Sequence, residues 1–181
     1  MIIEIKNIPI IELPPGKMFH RVQRINAQKD SVKINRMILP PVGVKAGRFC
    51  LASGVTAYLA DSAETALYEA VFRRELKTFI ALENLRVKSL STFISKKVLR
   101  LVDLRELEEQ YPVLQSQRIQ HTQALAEKCF VAGYDGIFYV SAQHPRHECL
   151  CLFESGTKKL GFMEALPLVK PGTDILLKVV V

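Results

Sequence analysis

Ala63, Ala66, Leu67, Ala70 and Val71 recur at i, i+3, i+4, i+7 and i+8 directly behind the apolar run Thr56–Ala60, and no other stretch constrains the fold as tightly. That spacing lines one face of a helix, and the run before it has the length of a strand. Asp61 and Glu64 stand at capping-box spacing at the helix start. At ~100° per residue the opposite side carries Thr65, Tyr68 and Phe72 instead of a row of charges, so it is not a fully solvated side. Glu69 falls between the two faces, beside Ala66, where a carboxylate can look into a cleft.

The remaining apolar patterning is mostly strand-like. Residues 1–13 read as an opening strand; Glu4, Glu12 and the lack of a basic start or small-residue cleavage site argue against a signal peptide. Pro14-Pro15-Gly16 predicts a turn and residues 18–25 a strand, while 26–46, with Pro40-Pro41 and Gly43, predict a long loop. Alternation through residues 78–103 predicts two or three antiparallel strands, then a helical turn over 104–110 stopped by Pro112. A second long helix is expected over 115–132, with Ile119, Ala126 and Phe130 on one side and Gly133 ending it. Strands follow at 136–141, Glu148–Phe153, 160–166 and 175–181. Strands mixed with two principal helices give an α+β class and not regular βαβ winding, and 181 residues fit one domain over residues 1–181.

Composition removes several function classes. No apolar run is long enough for a membrane-spanning helix. Cys50, Cys129, Cys149 and Cys151 show no C-x-x-C spacing and are too few for a disulfide framework, which points to a reducing cytoplasm. No G-x-G-x-x-G, P-loop, G-x-S-x-G or H-E-x-x-H is present. His144-x-x-His147-x-Cys149-x-Cys151 offers four zinc-type ligands, but the spacing matches no standard zinc module. The two cysteines read as core thiols on an apolar strand beside a polar loop, so no metal site is expected. A net charge of +7 favours an anionic partner. Arg86, Lys88, Lys96, Lys97, Arg100 and Arg105 read as the wet faces of amphipathic strands with few interleaved aromatics, so direct nucleic-acid binding is not the expected role.

An arginine, a ring and a carboxylate come from the neighbourhood of the helix as Arg48, Tyr58 and Glu69. Taken singly, Arg48 reads as a partner for a surface carboxylate, Tyr58 as a core ring, and Glu69 as an i, i+4 partner of Arg73. Together with other pieces they form an ordered set: Phe19-His20-Arg21-Val22, Gly47-Arg48-Phe49, Tyr58-Leu59-Ala60, Glu64-Thr65-Ala66-Leu67-Tyr68-Glu69, Leu101-Val102-Asp103-Leu104-Arg105, Gly133-Tyr134-Asp135-Gly136-Ile137, Tyr139-Val140-Ser141-Ala142 and Leu152-Phe153. Over residues 18–155 this set resembles the RES-domain family, the toxins of bacterial RES–Xre toxin–antitoxin pairs. Segments 1–17 and 156–181 lie outside the resemblance.

The resemblance implies an ADP-ribosyltransferase-like fold with a split β-structure and flanking helices. It also implies depletion of NAD⁺ by cleavage of the nicotinamide–ribose bond, through hydrolysis or phosphorolysis, with an Xre-type helix-turn-helix antitoxin as partner. NAD⁺ is then substrate, phosphate a candidate co-substrate, and no cofactor is implied. Arg48, Glu69 and Ser141 fall on the residues that name the family, and Arg21 and Tyr58 on further cleft positions. The chemistry of each residue type agrees. Arg48 or Arg21 suits a pyrophosphate through bidentate donation. Glu69 suits the positive charge that develops on the ribose, through its hydroxyls or by direct electrostatics. Tyr58 suits ring stacking or a strained nicotinamide pose, and Ser141 a carboxamide or ribose hydroxyl. Two positions depart from the family pattern: Cys50 stands where a small polar residue, commonly asparagine, is usual, and His20 where an aromatic precedes the arginine. ADP-ribosyl transfer to a protein or nucleic acid is the alternative within the enzyme class, and a non-catalytic nucleotide- or nucleic-acid-binding module the alternative outside it.

Overall fold

Alternating side-chain polarity makes strands the commonest regular element, and the computed structural model describes residues 5–44, 46–72, 81–107, 110–115, 119–170 and 172. In chain order the elements are β1 (Ile10–Leu13), β2 (Met18–Arg24), β3 (Val32–Ile34), β4 (Met37–Leu39), β5 (Thr56–Ala60), α1 (Ala63–Ala70) and α2 (Leu82–Arg86). They continue as β6 (Lys88–Ser95), β7 (Leu99–Asp103), α3 (Gln120–Val131), β8 (Gly136–Val140), β9 (Glu148–Phe153), α4 (Glu154–Lys158) and β10 (Leu160–Pro167). Eight strands form one sheet in the order β1-β7-β8-β9-β5-β2-β6-β10, and β3 and β4 form a separate hairpin. Among the described strands only β7 and β8 pair in parallel, and α3 makes the crossover between them. The class is α+β, as expected.

The sheet is almost severed in its middle. β2 pairs with β6 along its whole length from Met18 to Arg24, and β5 with β9 from Thr56 to Ala60. Between β2 and β5 the ladder shrinks to one residue pair, His20 with Ala60. Two lobes of five and three strands therefore diverge from that point. Period-two alternation loads both faces of the larger lobe. Ile137, Tyr139, Cys149, Cys151 and Phe153 face a core shared with Ala66 of α1 and Leu125, Ala126 and Cys129 of α3. Phe138, Leu150, Leu152, Ala57 and Leu59 face a second core shared with Phe19, Leu39, Phe93 and Leu160, so the smaller lobe and the hairpin curl over that face. This double burial explains why β9 reads as an almost unbroken apolar run.

Several sequence expectations change. Residues 26–46 are not a long loop, because β3 and β4 pair around Asn35 and Arg36 at φ 47° and 64°. Positive φ at both central residues is the hairpin geometry that Asn-Gly usually supplies, and Arg36 hides that signal. Asn35 Nδ2 fastens the turn to the carbonyls of Thr157 (3.1 Å) and Leu160 (2.7 Å). The α1 N-cap is Ser62 and not Asp61: Ser62 Oγ accepts from the Thr65 amide at 3.1 Å. In the 78–103 stretch β6 and β7 exist but lie in different lobes and do not pair, with α2 before them. Of the helical turn expected over 104–110, the described residues show Leu107 N–H bonded to Leu104 C=O at 3.1 Å and Tyr111 N–H to Leu107 C=O at 2.8 Å, with 108 and 109 outside them, and Pro112 opens a 3₁₀ turn instead of stopping one. α3 begins at Gln120, and its buried face runs through Thr122, Leu125, Ala126 and Cys129, which leaves Phe130 37% exposed. The opening strand is Ile10–Leu13, behind a 3₁₀ turn at Ile5–Asn7. The strand expected at 175–181 lies outside the described residues.

Gly136 sits between β7 and β9, where a Cβ would overlap the Cys151 carbonyl oxygen and press on the Leu152 backbone. Backbone cannot rotate away as a side chain can. Gly136→Ala is therefore expected to destabilise the fold by about 1–3 kcal/mol or more, read as a lower denaturation midpoint in urea.

Candidate active site

Arg48 is delivered by the loop between β4 and β5, and that loop is fastened from three sides. Tyr58 points from β5 into the loop and its hydroxyl accepts from the Phe49 amide at 2.8 Å. Gly47 is glycine because the Tyr58 ring and hydroxyl fill the space of a Cβ. From α3, Gln123 Nε2 donates to the Gly47 carbonyl at 3.0 Å, and Glu127 accepts from the Ala52 amide. Cys50 Sγ accepts from the Gly47 amide at 3.2 Å and from the Thr56 hydroxyl at 3.6 Å. A thiol thus fills the acceptor role of a small polar residue at this position. The Arg48 guanidinium lies 4.9 Å from the Tyr139 ring centroid and 5.5 Å from Phe49, and donates to the Leu114 carbonyl at 3.3 Å. Among the described residues it has no carboxylate partner, so the surface ion pair considered from the sequence is not made there.

Glu69 occupies the last turn of α1, which carries no basic residue. A negative charge there opposes the helix dipole, so the position does not serve helix stability. Its carboxylate is met by Ser141, just beyond β8 and 3% exposed, whose hydroxyl donates to Glu69 Oε1. Ser141 Oγ also accepts from the amides of Gln143 (3.2 Å) and His144 (2.9 Å). A hydroxyl has one proton and two lone pairs. With both acceptor positions engaged by backbone, the proton is directed at Glu69. Arg73, the i, i+4 partner considered for Glu69, lies outside the described residues.

Arg21 reaches into the split between the lobes. Nη1 donates to the Tyr58 carbonyl on β5 at 2.8 Å and Nη2 to the Ile38 carbonyl on β4 at 3.2 Å. Its Nε is sealed from solvent with no hydrogen-bond partner among the described residues. Burial lowers its pKa to about 10, which leaves it charged at neutral pH. His20, on the one-residue bridge, lies 3.3 Å by Nδ1 from Thr92 Oγ1, and burial lowers its pKa, so it is neutral at pH 7. Burial raises the pKa of the Tyr58 and Tyr139 phenols and of the Cys149 and Cys151 thiols. Arg48 and Glu69 act electrostatically on both Tyr139 and Cys149, in opposite directions.

The five residues singled out from the sequence therefore form one connected neighbourhood, although not as equals. Arg48, Glu69 and Ser141 surround Tyr139 and Cys149 on the α1 side, while Arg21 and Tyr58 meet at the split through a carbonyl. Sequence reasoning missed Tyr139 as the ring beneath Arg48, and Gln123 and Glu127 as anchors of its loop. Tyr139 stood in the quoted Tyr139-Val140-Ser141 piece and was legible; the two α3 anchors have no local signature. In the His144–Cys151 stretch, Cys149 and Cys151 are buried core thiols and the histidines stack on each other with ring centroids 3.7 Å apart. Among the described residues no cluster of three or more His, Cys, Asp or Glu side chains is placed to hold a metal.

Residues 21–168 match the RES domain family. The chain belongs to that family. The match takes in all five residues and continues past residue 155 through β10, which carries no motif residue. The RES domain also resembles a solved chain of the M. tuberculosis MbcT–MbcA toxin–antitoxin complex, with a TM-score of 0.61 and 16% identity over 86% of this chain and 85% of that one. At that identity the likeness is one of fold, the ADP-ribosyltransferase-like fold of RES domains. No curated protein sequence matches it.

Two expectations follow from this geometry. Tyr58→Phe removes the acceptor of the Phe49 amide and is expected to cost about 1–3 kcal/mol in chemical denaturation, because a buried donor loses its partner. All four cysteines are buried, and burial pushes the Cys129 thiol up to about 12. At pH 8 the native RES domain is thus expected to resist a thiol-titrating disulfide reagent that labels all four in denaturant.

Proposed function

We propose that this RES domain cleaves NAD⁺ at the nicotinamide–ribose bond and acts as a growth-arresting toxin neutralised by an antitoxin. The observation that carries the reading is the Glu69 carboxylate oriented by Ser141 in the same neighbourhood as Arg48, a guanidinium with no carboxylate partner among the described residues. Such a pair suits a substrate that is anionic at one end and develops positive charge at the other. Arg48 grips the pyrophosphate, with the buried charge of Arg21 adding positive potential from the split. As the glycosidic bond lengthens, the ribose becomes oxocarbenium-like and Glu69 stabilises it, while neutral nicotinamide leaves with the bonding pair. Water or phosphate then attacks the ribosyl cation.

Two assigned residues take supporting roles in this reading. Ser141 has its hydrogen-bonding capacity engaged by protein, so it works by orienting Glu69 and not by touching substrate. Tyr58 works by fixing the loop that presents Arg48. The fold likeness to a chain from a toxin–antitoxin complex supports an antitoxin partner, and the family resemblance an Xre-type helix-turn-helix one. A net charge of +7 suits an acidic surface on that partner. Among the described residues no helix is long and apolar enough to cross a membrane.

The test is incubation of purified protein with NAD⁺, with and without phosphate, followed by chromatography of nicotinamide and the ADP-ribosyl product. Absence of nicotinamide under both conditions would end the reading; ADP-ribose retained on a macromolecule would reassign the acceptor. Glu69→Gln removes charge and little volume, and is expected to lower kcat by ~100-fold or more with circular dichroism unchanged. Ser141→Ala, which leaves the carboxylate present without the Ser141 hydroxyl, is expected to lower it by ~10-fold.

A further inference from the structure

His144 and His147 are joined to the proposed site through α1 and the 141–147 loop. The rings of His144 and His147 lie face to face, 6° from parallel, and Tyr68 of α1 stacks on His144 at 4.5 Å. His144 Nδ1 is 3.0 Å from Thr65 Oγ1, and Thr65 is fully buried in the first turn of α1. The His144 amide donates to Ser141 Oγ, and the Ser141 amide donates to the His147 carbonyl at 2.8 Å, closing the 141–147 loop. His147 Nδ1 lies 3.6 Å from Asp61 Oδ2, which also accepts from the Glu148 amide at 3.0 Å.

We propose that His144 is a positioning residue, whose side-chain bond to Thr65 docks the 141–147 loop on α1 and so keeps the Ser141 proton on Glu69. Thr65 and Glu69 are i and i+4, on one face of one helix. The loop therefore grips that face at two points, His144 to Thr65 and Ser141 to Glu69. Either contact alone leaves the loop free to pivot, whereas both together fix the distance and direction of the Ser141 hydroxyl. Without the second point, a short polar loop containing Pro145 and Arg146, the latter at φ 70°, loses its side-chain hydrogen bond to α1. The Thr65 end is firm, since its hydroxyl also lies 2.8 Å from the Ser62 hydroxyl that caps the helix. Tyr68 and His147 bracket the imidazole and restrict its rotation. The effect on turnover rests on the proposed NAD⁺ cleavage; the docking does not.

The test therefore uses two readouts, hydrogen exchange of the Gln143 amide, which donates to Ser141 Oγ, and kcat and KM for NAD⁺ cleavage. His144→Phe keeps a ring in the stack and removes Nδ1; His144→Asn keeps a polar atom where Nδ1 stood and loses the ring; Thr65→Val removes the partner without changing shape. His144→Phe and Thr65→Val are each expected to speed Gln143 exchange and lower kcat by ~10-fold, with KM within about twofold of wild type, while His144→Asn stays within ~3-fold on both readouts. Unchanged exchange and kcat in His144→Phe overturn the proposal, as does a fall in kcat without faster exchange. Equal losses in the Phe and Asn variants also overturn it, because the stack and not the Nδ1 bond would then matter. If wild-type protein releases no nicotinamide while the exchange contrast holds, NAD⁺ cleavage fails and the docking role of His144 stands.

Discussion

A single buried guanidinium joins the two lobes where the sheet nearly comes apart. Between β2 and β5 one residue pair remains of the ladder, and Arg21 spans the opening by donating to carbonyls on β5 and β4. A strand pair usually satisfies such carbonyls with amides. Here a side chain does so, which lets the strands diverge without leaving the Tyr58 and Ile38 carbonyls unpaired. Desolvating a cation that has no carboxylate beside it among the described residues is unfavourable, and the lowered pKa of Arg21 expresses that. The split is thus a polar seam with a standing positive charge.

From that seam the site is assembled by orientation more than by proximity. Tyr58 presents its carbonyl to Arg21 and its hydroxyl to the loop bearing Arg48, so one residue of β5 serves both the seam and that loop. Across the sheet face, Ser141 has its lone pairs occupied and its proton aimed at Glu69. Hydrogen-bond capacity decides these roles. A hydroxyl engaged three times by protein has nothing left for a ligand, whereas a guanidinium with five donors and few acceptors around it has.

The residues legible in the sequence were those whose chemistry is unusual for their setting. Glu69 showed itself by lying off both faces of an amphipathic helix, and Arg48 by its place in an ordered set of short motifs. β5, β9 and the glycine end of α3 followed from local pattern and turn chemistry. The β3–β4 hairpin was hidden because Arg36 takes a backbone conformation that Gly normally signals. The separation of β6 from β7 was hidden because alternation reports a strand but not its partner. The anchoring of the Arg48 loop by Gln123 and Glu127 depends on α3 packing across the chain, which no local spacing records. In the His144–Cys151 stretch the cysteines are the core thiols that the apolar strand implied, whereas the packing of the two histidines on α1 has no local spacing to announce it.

Strand order has a consequence for when such a site comes into being. β9 is inserted between β8 and β5, and it is the last strand of the larger lobe to be made. Until it pairs, the segment bearing Arg48 and Glu69 has no sheet contact with the segment bearing Ser141. A ribosome-bound chain that has exposed its first helix therefore carries the arginine and the carboxylate but not their common frame. Long-range closure of this kind is slow and comes late in folding. Any activity that requires the whole constellation is withheld from the nascent polypeptide until synthesis has passed residue 153.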